Sequence, residues 1–124
     1  MIAALEKQAA TLEARHKIEV EVNLCDEPDA PLETKEALYR IAQEALHNIV
    51  KHARASNVLL KMQSDFEQMT LEISDDGIGF DAKGEFPGHL GLRSMRERAS
   101  RLDGMLKVET APDKGTRICT RLPI

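Results

Sequence analysis

Over the first sixteen positions the apolar residues fall at Ile2, Leu5, Ala9 and Leu12, a spacing that lays a narrow stripe along one helical face. No capping residue opens this stretch. Residues 1–16 therefore read as the tail of an upstream helix or linker whose beginning lies outside the chain, with the domain proper over 17–124. The pattern then switches to period two: Ile18, Val20, Val22 and Leu24 alternate with charged and polar neighbours, which predicts a half-buried strand. "CDEPDAP" breaks it. From Leu32 the apolar positions Leu38, Ile41, Ala42, Ala45, Leu46, Ile49, Val50 and Ala53 follow the helical rhythm, and they predict one long amphipathic helix. Pro31 stands where a first-turn proline is tolerated.

Two strands follow, "NVLLKMQS" and "QMTLEISD", joined by a short polar link that suits a hairpin. Gly77 to Gly91 holds five glycines and no sustained period, so it predicts a long loop. Leu92, Met95, Ala99 and Leu102 restore the helical spacing, and Gly104 reads as the stop. The chain closes with a strand, the turn "APDKG" and a last strand with Thr116, Ile118, Thr120, Leu122 and Ile124 on one face. These blocks predict an α+β two-layer sandwich, a mixed and mainly antiparallel sheet with about three helices on one face.

Composition narrows the function. At 124 residues the chain suits a single domain able to build a core without staples. A net charge of −4 argues against a nucleic-acid backbone, which needs clustered Lys and Arg. Three Phe, one Tyr and no Trp give no platform for stacking bases. A small phosphate ligand needs only a few local donors and remains open. Cys25 and Cys119 lack metal or redox spacing and read as reduced. The charged N-terminus has neither a signal-peptide core nor a membrane span, so the expectation is a cytoplasmic domain without direct membrane contact, with any membrane anchor elsewhere in the full-length protein.

The stretch "SDDGIGFD" carries the first candidate chemistry. Alternation along "QMTLEISD" sends Asp75 inward with Met69, Leu71 and Ile73, and turns Asp76 toward solvent as a turn residue. An inward carboxylate costs on the order of several kcal/mol unless donors satisfy it. Gly77 and Gly79 free the backbone for positive φ and for a close ligand approach. By itself "DDG" favours an ordinary polar turn. A calcium loop fails, because glycines fall where carboxylates are needed and Phe86 stands at the bidentate position. The GxGxxA pattern from Gly77 to Ala82 is no dinucleotide fingerprint, since "KGEFPG" cannot open the required helix, and no Gly-Lys dipeptide supports a P-loop.

On the long helix, Glu44, Asn48 and His52 stand four residues apart and form a row along one flank of the apolar stripe, while His47 faces away. Such a row is commonly just a polar border. With Lys51 beside it, the row also suits a magnesium phosphate, the Asn oxygen ligating a hard cation and the Lys neutralising phosphate oxygens. "GHLGL" places Gly88 and Gly91 before a helix whose first amides can bind an anion.

In combination these segments resemble the GHKL family of ATP-binding domains, most closely the catalytic domain of sensor histidine kinases, over Ile18 to Ile124. "EALHNIVKHA" is similar to the family's N box, "DDGIGF" to its DxGxG box, "GHLGL" to its second glycine box and "KGTRICTRLP" to its closing strand. The spacing is similar to that of the nitrate-sensor and membrane-fluidity-sensor kinases, with a short lid containing Phe80 and Phe86. The resemblance implies the Bergerat fold, with ATP and Mg²⁺ as cofactors. It also implies residue roles. Asp75 accepts the adenine amino group with help from Thr116, Gly79 lies under the ring, and Gly77 belongs to the same nucleotide-binding set. Asn48 is the metal ligand, and Lys51 and His52 lie near the nucleotide. Gly88, Gly91 and the amides of Leu90 and Leu92 wrap the phosphates, with His89 and Arg93 as further contacts. Glu44 is a general base in the ATPases of the family and an organiser of metal waters in its kinases.

The implied partners are a histidine-bearing dimerisation domain of the same kinase, which is absent here, and a response regulator. The domain alone is expected to be monomeric and unable to phosphorylate itself. Two alternatives stand beside this reading: a hydrolytic GHKL ATPase fragment, and a nucleotide-binding regulatory module without kinase activity.

Overall fold

The computed structural model describes residues 1–79 and 91–124. The first stripe becomes α1 (Ile2–His16) and the alternating stretch β1 (Glu19–Leu24). The long helical pattern becomes α2 (Leu32–Asn48), continued by a π turn over Ile49–Ala53. The hairpin is β2 (Asn57–Ser64) and β3 (Gln68–Asp75), and α3 (Leu92–Arg101), β4 (Met105–Thr110) and β5 (Thr116–Pro123) complete the chain.

One five-stranded sheet has the order β1-β2-β3-β5-β4. β1 pairs with β2 in parallel, bridged by α2 as such a pair requires, and every other pairing is antiparallel. This is the mixed, mainly antiparallel α+β sandwich that the sequence predicts. Its register matters for function. Val58 pairs with Asp75, Asp75 with Thr116 and Thr116 with Thr110, so four strand ends meet at one rim of the sheet.

The inward faces of β2, β3 and β5 bury Val58, Leu60, Met62, Met69, Leu71, Ile73, Ile118 and Leu122 against the α2 stripe from Leu38 to Leu46, Ile49 of the π turn, and Met95 and Ala99 of α3. Each large side chain so buried contributes roughly 1.5–3 kcal/mol. Leu5, Ala9 and Leu12 of α1 belong to the same core. Among these apolar groups lies Thr120, fully buried, whose hydroxyl has no hydrogen-bond partner among the described residues.

Three local expectations change. The long helix does not run as α to Ala53: its last five residues are a π turn, closed by Arg54 in the left-handed conformation. A π ring holds an extra residue, so spacing-of-four arguments stop at Asn48. The residue that leaves α3 left-handed is Asp103, at φ 58°, rather than Gly104, whose amide donates back to the Ala99 carbonyl at 2.8 Å. Val22, inward by alternation, is 43% exposed because β1 is an edge strand.

Candidate nucleotide site

Asp75 ends the buried row of β3 and is itself half-buried, as alternation predicts. Its Oδ1 accepts the Gly77 amide at 2.8 Å. Burial pushes its carboxyl above the ordinary range and the neighbouring Asp76 charge adds to this, while the Gly77 and Thr116 backbones pull the other way. Across the register, the Thr116 hydroxyl lies 3.0 Å from that of Thr110, which also donates to the Gly115 carbonyl. The rim thus combines a carboxylate that burial disfavours in its charged form with two paired hydroxyls.

Asp76 corrects the sequence reading. It is exposed, yet it is no freely solvated turn residue. One carboxylate oxygen accepts the amides of Ser56 and Asn57 at 2.8 and 2.9 Å, and the other accepts Asn57 Nδ2 at 2.8 Å. These donors, the Asn57 side chain foremost, hold its carboxyl below the ordinary range. The glycines that follow have reasons within the fold. A Cβ on Gly77 would run into the Ala53 carbonyl, the same oxygen that accepts the Ile78 amide at 2.7 Å. Gly79, at φ +61°, packs against the carbonyls of Ala111 and Gly115, and the Ile78 carbonyl accepts the Asp113 amide at 2.6 Å. The loop is therefore held between the end of the π turn and the β4–β5 turn.

The second half of the site lies on α2. Glu44 and Asn48 are half-buried along one flank, and His47 is exposed, as the wheel predicts. Lys51 and His52 sit on the π turn and are exposed, so His52 does not continue the Glu44–Asn48 row by α-helical spacing. Gly91, at φ +62°, is the N-cap of α3, and a Cβ there would collide with the Glu44 carboxylate. Glu44 thus packs on the first turn of α3, where a helix N-terminus favours negative charge. Leu92 packs its side chain against the core, and Arg93 pairs with Glu97 at 3.2 Å rather than standing free. Gly88, His89 and Leu90, with Phe80 and Phe86, lie outside the described residues.

Sequence reasoning missed the π turn and the bonds from Asp76 to Ser56 and Asn57. The first left no signal, because Ile49, Val50 and Ala53 fit an α period as well. The second had one, the repeated acid of "SDDG", but its partners stand about twenty positions away.

The sequence matches the profile described as "Histidine kinase-, DNA gyrase B-, and HSP90-like ATPase" over residues 33–124. It is 37% identical over 125 residues to a "Signal transduction histidine-protein kinase/phosphatase DegS" of Brevibacillus brevis, covering 100% of this chain and 32% of that protein. It is 36% identical over 118 residues to the "Sensor histidine kinase ComP" of Bacillus subtilis, covering 93% of this chain and 15% of that one. The chain therefore spans about a third or less of these relatives. Among solved structures, the histidine kinase domain of the Erythrobacter litoralis EL346 blue-light activated histidine kinase is similar with a TM-score of 0.80 and 30% identity, covering 98% of this chain and 59% of that one. The profile match, spanning most of the sequence and both halves of the rim just described, shows that this chain belongs to the histidine kinase-, DNA gyrase B- and HSP90-like ATPase family.

Proposed function

We propose that this chain is the ATP-binding catalytic domain of a two-component sensor histidine kinase. It binds Mg-ATP and passes the γ-phosphoryl group to a histidine on a separate dimerisation domain, from which a response regulator takes it. The observation that carries this reading is Asp75, a half-buried carboxylate at a rim where four strand ends meet, with its charged form disfavoured by burial. A buried acceptor of that kind suits an exocyclic amino group, and Thr116 beside it extends the polar contact.

The carboxylate of Glu44 and the amide of Asn48 offer oxygen donors of the type a hard cation takes, and the magnesium ion, when bound, supplies charge neutralisation for the phosphates. Among the described residues no group of three or more His, Cys, Asp or Glu could hold a metal ion. Asn48 would hold the metal, Lys51 and His52 would lie near the nucleotide, and the amides of Gly91 and Leu92 at the start of α3 would face the phosphate charge. In the transfer the acceptor imidazole nitrogen bonds to the γ-phosphorus as the bridging oxygen leaves with ADP. No water needs activating, and Glu44 is an organiser rather than a base.

Phosphate capture is completed by Gly88, His89 and Leu90. The domain acts as a monomer in the cytoplasm. Among the described residues no helix is long and apolar enough to cross a membrane. The test is calorimetric titration with Mg-ATP, followed by addition of a dimerisation domain from a related kinase. Binding, acid-labile label on the added domain and none on this chain are expected. Steady ATP turnover abolished by Glu44→Ala would instead make it a hydrolytic ATPase. Absence of ATP and ADP binding would leave only a regulatory fold.

A further inference from the structure

The Asp76 carboxylate accepts three hydrogen bonds at the rim, all of them from Ser56 and Asn57. It collects the Ser56 and Asn57 amides and the Asn57 side-chain amide, while its own amide donates to the Asn57 carbonyl at 3.2 Å. Every hydrogen-bonding group of Asn57 except its side-chain oxygen is thereby turned to one residue. Ser56 in turn accepts the Glu19 amide at 2.9 Å, which ties the start of β1 to the same point. Asp76 is flanked by the two residues whose placement decides the adenine end: Asp75 before it, and after it Gly77, whose amide orients the Asp75 carboxylate at 2.8 Å. Next comes Ile78, bonded to the Ala53 end of the turn that carries Lys51 and His52.

Taking Asp75 as the adenine acceptor, we propose that Asp76 is a positioning residue for base selection: its grip on Ser56 and Asn57 fixes the Asp75–Gly77 turn so that the Asp75 carboxylate meets an amino group and rejects a carbonyl. Adenine presents an amino group where guanine presents a carbonyl oxygen, which a fixed carboxylate repels. A turn released from Ser56 and Asn57 lets the carboxylate swing and blurs that choice.

The experiment titrates ATP and GTP into the wild type, Asp76→Ala, and the reciprocal pair Asp76→Asn with Asn57→Asp, with thermal melting of each. The pair keeps an acceptor for both backbone amides and reverses the side-chain bond. Asp76→Ala is expected to bind ATP about tenfold more weakly with GTP unchanged, and the pair to recover to within about threefold of wild type. A variant that melts lower yet keeps the wild-type ATP-to-GTP ratio would reduce Asp76 to a structural role and overturn the proposal. Should Asp76→Ala fail to fold, the pair decides: a folded pair with restored preference supports the role, and a folded pair without it refutes it. A wild type that binds neither nucleotide removes the nucleotide reading itself, a failure visible before any variant is made.

Discussion

Replacing Asp75 by Asn keeps the size of the side chain and an oxygen for the Gly77 amide, removes the charge and turns the other acceptor oxygen into an amide donor. Two effects of opposite sign follow. Toward ligand, the Asn presents a second amide hydrogen to the adenine amino group, and a hydrogen bond to a charged acceptor worth roughly 1.5–3 kcal/mol is lost, so ATP affinity falls about 10- to 100-fold. Toward folding, the sign is the reverse. The wild-type carboxyl is held above its ordinary 3.8 by burial, so the folded state holds that proton more tightly than the unfolded one. Its contribution to stability is greatest below the ordinary value and declines as pH rises through the raised one, leaving a penalty at neutral pH. Asn carries no such penalty.

The melting temperature of Asp75→Asn relative to wild type should therefore rise as pH climbs above 4, and be equal or higher at pH 7, where each kcal/mol moves it by roughly 3–6 °C. Calorimetry with Mg-ATP and melting across pH on the same samples read both effects. Equal ATP affinities would remove Asp75 from the site. A variant that melts several degrees lower at pH 7 would show that the carboxylate serves the fold, and would refute the reasoning from burial.

Gly91→Ala should weaken both stability and nucleotide binding, since a left-handed alanine costs roughly 1–2 kcal/mol and its methyl meets the Glu44 carboxylate; adding Glu44→Ala should return part of the stability, read by melting. Thr120→Val replaces a buried hydroxyl without a partner by a methyl of the same shape and should stabilise the domain by about 1 kcal/mol without changing ATP affinity, read by denaturant unfolding and calorimetry.

The sheet was legible because its signal is local: Met69, Leu71, Ile73 and then Asp75 alternate strictly, and the same rule put Thr116 on one face with Ile118 and Leu122, while its pairing with Asp75 came from the register. Glu44 and Asn48 were legible for the same reason, one helical turn apart. What the period did not carry was any feature set by a partner distant in sequence. The π turn keeps Ile49 buried as an α-helix would, so apolar spacing does not distinguish the two. Asp76 has the exposure expected of a turn acid, and only the return of Asn57 to the β3 end shows its bonds. The burial of α1 was half legible: its stripe was plain, its place in the common core was not.

The residues around "DDGIG" separate into those the fold itself requires and those it does not. Gly77 is required by the Ala53 carbonyl and Gly79 by the β4–β5 turn, so both would be glycine in a protein that bound nothing. Asp76 is required by Ser56 and Asn57. Asp75 is different. A valine or isoleucine would continue the row of Met69, Leu71 and Ile73 at no desolvation cost, and Asn would keep the Gly77 bond without a charge to bury. Folding therefore disfavours the one group that the nucleotide reading needs, while its neighbours hold that group in place. A carboxylate kept against the preference of its own fold points to a ligand at the rim where β3 and β5 end.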